Sequence, residues 1–329
     1  MRRKFKSARL LPPLLAACVG VLAAAAPAIA QDPALDTVYA QIMPLVTKSL
    51  LLDVTRGPDG QFVAVGERGH IIHSPDGEHW TQAEHVPTRS TLTSVTSAGD
   101  RLWAAGHDTV ILTSADGGVT WTLQNFDPDR QQPIMDILFT DASTGFAIGA
   151  YGLMLVTSDA GAHWEDRKVS DEEWHLNAIV NLGGGTLVMA GESGLAYRST
   201  DAGVSWEVID LPYQGSMWGL TMTGGDCLLT FGLRGHVQES CDQGQSWEEL
   251  ETGTEASLGG GVRVGDLTVL VGNSGAILER SGRGPFKVFT HPSGVDLSGV
   301  IGMDDGRLLM VGEDGVHHFP ETEAAEVQP

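Results

Sequence analysis

The sequence predicts an all-β fold, a seven-bladed propeller of four-stranded antiparallel blades, and two repeating signals predict it. The first is Ser/Thr-x-Asp-x-Gly-x-x-Trp, found as "SADGGVTW" from Ser114, "TSDAGAHW" from Thr157, "STDAGVSW" from Ser199 and "SCDQGQSW" from Ser240, with a shorter "SPDGEHW" from Ser74. Its tryptophans, Trp80, Trp121, Trp164, Trp206 and Trp247, recur every 41 to 43 residues. The second is a pair Gly-x-x-Gly, at Gly66/Gly69, Gly149/Gly152, Gly191/Gly194, Gly232/Gly235, Gly272/Gly275 and Gly312/Gly315, with Gly106 and Thr109 in the same slots between the first two. Two markers in phase over seven units of about 40 residues are the mark of a radially repeated blade.

Within a unit the elements follow in order. Between Leu92 and Gln124, "LTSVTS" is a first strand, "RLWAA" a second, "VILTS" a third and "WTLQ" a fourth. Gly, Asp and Asn stand between them, as tight turns require. The second strands are almost continuous apolar runs, "FVAV", "LVMA", "VLV" and "LLMV", which suits a strand covered on both faces. The Asp motif falls on the turn between third and fourth strands. There Asp76, Asp116, Asp159, Asp201 and Asp242 are expected to accept backbone N–H bonds of their own turns. Gly supplies positive φ, Ser or Thr adds a local bond, and each tryptophan packs against the neighbouring blade. A structural role accounts for the repetition, which a catalytic aspartate does not.

The seventh unit ends near Pro320 with three strands' worth of pattern. Tyr39 lies in the tryptophan phase, so "YAQIM" (39–43) is expected as the outer strand of blade seven, closing the ring and covering its edge. Blade six is degenerate, with "SGRGPF" at 281–286 in place of the Asp turn. The expected organisation is a signal peptide over 1–30, one propeller over 31–320 and an acidic disordered tail over 321–329.

The first ten residues are basic, and the next twenty are apolar and end in Ala28-Ile29-Ala30. This reads as a secretory signal cleaved after Ala30, hence a periplasmic or secreted protein. Leu15-Ala16-Ala17-Cys18 offers a rival, a lipoprotein anchored at Cys18; the apolar run beyond Cys18 argues against it. With 42 acidic and 20 basic residues the net charge is −22. Five of those bases lie in the leader, so the rest is more acidic still. Such a surface disfavours nucleic acid and anionic membranes as partners, and a monomer is expected. Cys227 and Cys241 flank one hairpin. An oxidising compartment permits a disulfide; two small buried thiols are the alternative, and the Cα separation decides between them.

Connections alternate between the two faces of the disc, so the Gly-x-x-Gly turns share a face with the blade-to-blade loops. On that face the turns offer Arg68 and Glu67 ("GERGH"), Tyr151 ("GAYG"), Glu192 ("GESG"), and Arg234 with His236 ("GLRGH"); the loops add Arg130, Trp174, His175, Tyr213 and Trp218. The paired arginines suit a carboxylate or chain terminus. His70/His73 and His317/His318 are badly spaced for a metal on a strand. No nucleophile elbow or phosphate loop stands in its required context. The chain is therefore read as non-catalytic, without cofactor or metal.

The Asp turns and the in-phase Gly-x-x-Gly pairs resemble the bacterial-neuraminidase-type repeats of the photosystem II stability/assembly factor family of seven-bladed propellers, over about 65–320. The resemblance implies a non-catalytic lumenal or periplasmic factor that binds a newly made membrane subunit, in part through arginines; Arg68 and Arg234 stand at positions of that type. Relatives also occur in non-photosynthetic bacteria beside RND-type exporters, so it implies an assembly or accessory role with a membrane-protein client or peptide on the Gly-x-x-Gly face. The alternatives are a sialidase-like glycoside hydrolase, which needs three convergent arginines, and a carbohydrate- or peptide-binding module using Trp174 and Trp218.

Overall fold

A computed structural model describes residues 38–223 and 227–320. The expected leader, the alternative anchor at Cys18 and the tail from residue 321 lie outside the described residues. The described strands form seven antiparallel sheets, one per repeat: six of four strands in sequence order and a last of three. The second blade runs Leu92–Ala98, Arg101–Gly106, Ile111–Ser114 and Thr122–Asn125, within a residue or two of the pattern read from the sequence.

The blades pack through alternate faces of their second strands. In Arg101–Gly106, Leu102 and Ala104 join an apolar cluster with blade one, while Trp103 and Ala105 join another with blade three. All four are fully buried, which explains why polar alternation vanishes from these strands. The tryptophans behave as expected. Trp121 joins the cluster with blade one, Trp164 that with blade two, Trp206 that with blade three, Trp247 that with blade four and Trp80 that with blade seven.

Ring closure differs from the expected outer strand. Among the described residues, blade seven is Leu297–Gly302, Leu308–Gly312 and Gly315–Phe319. Residues 39–43 lie instead along the outer part of blade one: Ala40 N–H donates to Val86 O at 2.9 Å, Met43 N–H to the Gln82 side chain at 2.8 Å, and the Gln82 amide returns a bond to Gln41 O at 2.8 Å. Side chains close the ring. Met303, Leu309 and Val311 of blade seven pack on Val54, Phe62, Ala64 and Ile72 of blade one. Arg307 pairs with Glu78 at 2.8 Å and Arg56 with Asp304 at 3.2 Å across the same seam.

Candidate functional site

The six Gly-x-x-Gly turns and the Gly106–Thr109 turn of blade two share one backbone plan. The residue after the first glycine donates its N–H to the carbonyl just before its own blade's first strand, as in Glu67 to Leu50 (3.1 Å), Glu192 to His175 (3.0 Å) and Leu233 to Ser216 (3.2 Å). This draws the first glycine so close that a Cβ on Gly66 would stand 2.1 Å from Leu50 O. The next residue is left-handed in every blade: Arg68, Asp108, Tyr151, Ser193, Arg234, Ser274 and Asp314, with φ between 54° and 59°. A non-glycine residue there ordinarily marks strain worth a functional question. Its recurrence in all seven blades assigns it to the turn itself, whose effect is to present one side chain per blade around a single face.

Arg68 is exposed, with Nε 3.8 Å from the Glu67 carboxylate. Arg234 is exposed four blades further round, and its backbone N–H donates to Ser257 Oγ at 3.1 Å. The two arginines thus stand across the ring from each other rather than side by side. Arg130 is engaged locally: its guanidinium bonds both carboxylate oxygens of Asp166 and its Nε donates to Gln132 at 2.6 Å. His236 stacks on Tyr213 at 3.6 Å and bonds Glu249.

The structure gathers aromatic side chains around blades three to five. Tyr151, 55% exposed, meets His175 edge-on at 4.9 Å. Trp174, in the loop before blade four, donates its indole N–H to Glu172 at 2.6 Å. Trp218, 37% exposed, borders a cavity of about 330 Å3 lined by Met135, His175, Asn177, Glu192 and Ser216. Trp218, Met135 and Asn177 also border the central channel, so the cavity is continuous with its mouth. Met135, Asn177 and Trp218 each sit at the irregular step near the start of a first strand, where the ladder shifts register. The available signal was that step, which turns a side chain inward. Trp218 was anticipated by residue type, Met135 and Asn177 were not.

Deeper in the channel wall are two carboxylates that sequence reasoning missed. Asp53 accepts N–H bonds from Val54 and, across the seam, from Val95, both at 2.8 Å. Asp136 accepts from Ile137 at 2.8 Å, from Ile179 of blade four at 2.9 Å and from the Ser94 hydroxyl at 2.8 Å. Burial outweighs those bonds and pushes Asp53 up to about 7, with the nearby Asp136 adding repulsion; burial likewise pushes Asp136 up to about 6. They fasten blades one to four. The signal was an acid inside an apolar first strand, "LLDVTR" and "IMDILF".

The Asp turns lie on the opposite face and are self-contained. Asp201 accepts from the Ser205 hydroxyl (2.6 Å), Ser205 N–H (2.9 Å) and the Ser199 hydroxyl (2.8 Å). These bonds hold it down to about 2, and Asp159, bonded by His163, is also held to about 2. Asp76, Asp116 and Asp242 are wired the same way. Cys227 and Cys241 form a disulfide, with Cα atoms 4.2 Å apart.

Comparison with known proteins agrees with this fold. Residues 123–294 match the family described as photosynthesis system II assembly factor YCF48, and residues 62–178 match a β-propeller domain family, DUF6242. The chain is similar to the photosystem II assembly lipoprotein Ycf48 of Synechococcus sp. CC9902, 38% identical over 24% of this chain and 25% of the relative. The same-named protein of strain RCC307 is 30% identical over 44% and 46%, and the chloroplastic stability/assembly factor HCF136 of Arabidopsis thaliana is 26% identical over 36% and 30%. These matches span from a quarter to just under half of the relatives' length. Among solved structures, YCF48 bound to D1 peptide superposes with a TM-score of 0.66 at 18% identity, covering 87% of this chain and 96% of that one. A streptogramin B lyase superposes at 0.72 and 14% identity, covering 85% and 96%. At these identities the likeness is one of fold.

Proposed function

The chain belongs to the YCF48 family of photosystem II assembly factors, and on that premise we propose that it is a non-catalytic propeller that binds an extended segment of a membrane-protein client on its Gly-x-x-Gly face, outside the cytoplasm. The observation that carries this is a set of exposed aromatic side chains on blades three to five: Trp218 lining a cavity that opens to the channel mouth, Tyr151 against its lining residue His175, and Trp174 in the loop before blade four. Exposed aromatics around a concavity are anchors for a partner. The repeated aspartates, by contrast, are consumed by their own turns, which leaves them no free carboxylate for acid–base work.

Arg68, Arg234 and His236 belong to the same face and would steer a carboxylate-bearing segment; Arg130 contributes by holding the loop before blade three. An extracytoplasmic location is supported by the lipoprotein names of the cyanobacterial relatives. The leader itself is read as cleaved after Ala30, and an intact-mass measurement of the envelope-derived protein separates that from lipidation at Cys18. The client is a photosystem subunit in a phototroph, or an envelope complex such as an RND-type exporter elsewhere.

The test is crosslinking in the native host followed by affinity capture, with wild type beside Trp218→Ala and Arg68→Ala/Arg234→Ala. A recurrent membrane protein that crosslinks to the Gly-x-x-Gly face and is depleted in both variants supports the reading. Capture unaffected by either variant, or crosslinks confined to the Asp-turn face, refutes it.

A further inference from the structure

We propose that the cavity beside Trp218 is a receptor for one basic side chain, arginine or lysine, of the bound segment. This rests on the reading that the Gly-x-x-Gly face is the client surface, and goes beyond it by giving that segment a chemistry.

The walls of the cavity differ from the rest of the face. Glu192, first residue of the blade-four turn, is one of the lining residues. The His175 N–H points at Glu192 Oε2 from 3.4 Å and His175 Nδ1 stands 3.9 Å from it. The carboxylate is thereby held in place, still 37% exposed. No lysine or arginine lines the cavity. Other carboxylates near the surface do have a cation in contact, as Asp166 has Arg130 and Glu78 has Arg307. Trp218 and Met135 line the same cavity, with Asn177 and Ser216 completing the wall.

An indole face, a polarisable sulfur and a single carboxylate together select a cation with an apolar stem. The ring quadrupole attracts the charge, the carboxylate makes a charge-assisted bond, and the stem covers the apolar wall while the head reaches the acid. An acidic residue would be repelled, and an aliphatic one would desolvate Glu192 without compensation. At about 330 Å3 the space is at the small end of ligand sites, of order 300–1,000 Å3, which suits one side chain. Arg234 stands on the turn of the next blade, so an acidic residue of the same segment has its own partner close by.

The experiment uses fluorescein-labelled, end-capped peptides Gly-Ser-Ala-X-Ala-Ser-Gly with X as arginine, lysine, leucine or glutamate, titrated by anisotropy with the full mature protein. The arginine and lysine peptides should bind at least tenfold tighter than the other two. Glu192→Gln should remove that preference, and Trp218→Leu should weaken it severalfold. Glu313→Gln removes the same charge from the equivalent position of blade seven, and controls for the overall acidity of the chain. Equal weakening by Glu313→Gln and Glu192→Gln, or binding indifferent to Glu192→Gln in a variant that melts like wild type, overturns the proposal. Client capture on Glu192→Gln separates the two readings. A client retained on this face, with peptide preference also intact, overturns the pocket alone. A Glu192-dependent peptide preference with no client on this face supports the pocket and sinks the client reading.

Discussion

In blade four the turn into the outer strand is closed from within: Asp201 accepts from Ser205 and Ser199, and Trp206 packs on blade three. In blade six the corresponding turn has no aspartate and no tryptophan. Phe286 takes the place of the ring, in the cluster with blade five. Arg280 donates to Gly284 O within the turn at 2.8 Å and to Glu239 of blade five at 2.8 Å, while Arg283 reaches the other oxygen of Glu239 at 2.9 Å. Glu239 and Arg280 are both more than nine-tenths buried. The blade position thus demands an outer ring against the neighbouring blade and a fixed turn. It does not demand an Asp motif. A local hydrogen-bonded turn and a cross-seam ion clamp both meet the demand, but they fail differently, because one is nearly solvated and the other is not.

The largest expected effect follows from that burial. Glu239→Ala leaves Arg280 buried without its carboxylate and should cost about 3–5 kcal/mol, read as a drop in the urea midpoint. Replacing both partners by apolar residues, Glu239→Met with Arg280→Leu, should recover most of the loss. If the single and double variants are equally unstable, the seam depends on side-chain shape rather than charge.

The second effect sets these turns against the channel. Asp53 and Asp136 are pushed up to about 7 and about 6, above the ordinary carboxylate value of 3.8. The folded protein keeps protons there that the unfolded chain releases, so stability falls as pH rises from about 4 to 7. Thermal melts should therefore improve on acidification through that window, and Asp53→Asn with Asp136→Asn should flatten the slope. A melting temperature independent of pH between 5 and 7 in wild type would contradict this.

A smaller effect distinguishes the tryptophans. Trp247 donates its indole N–H to Gly244 O at 3.2 Å, whereas the indole N–H of Trp206 is buried with no partner among the described residues. Trp247→Phe should therefore cost about 1 kcal/mol more than Trp206→Phe, and the latter mimics the natural choice at Phe286. Equal costs in chemical denaturation would show that packing area alone decides.

The smallest effect is the acid limb of the Asp turns. Asp159 and Asp201 are held near 2, below the unfolded value, so what they contribute is complete above about pH 4 and lost as pH falls towards 2. Combined with the channel pair, maximum stability is expected at about pH 4 to 5. Asp201→Asn should lower the melt slightly at pH 7 and leave it little changed near pH 2, which softens the acid transition.

The sequence by itself determined the repeat, the four strands of the first six blades, the opposite faces of the two turn types and the structural use of the aspartates, because each depends on neighbours within a few residues. Trp80 and Trp121 were legible as seam residues for the same reason: their phase relative to the turn settles which way they face. Candidate residues were legible as far as the face, and Tyr151, Arg234 and Trp218 lie on it. Only the tertiary structure decided what each residue meets across a seam. It put residues 39–43 on blade one rather than blade seven, tied Arg130 to Asp166, set Arg68 and Arg234 apart, and brought Glu192 to the Trp218 cavity. Those contacts join residues of different blades or loops. They depend on how far each blade is turned relative to the next, a quantity set by the summed packing of the seven apolar clusters and carried by no local pattern.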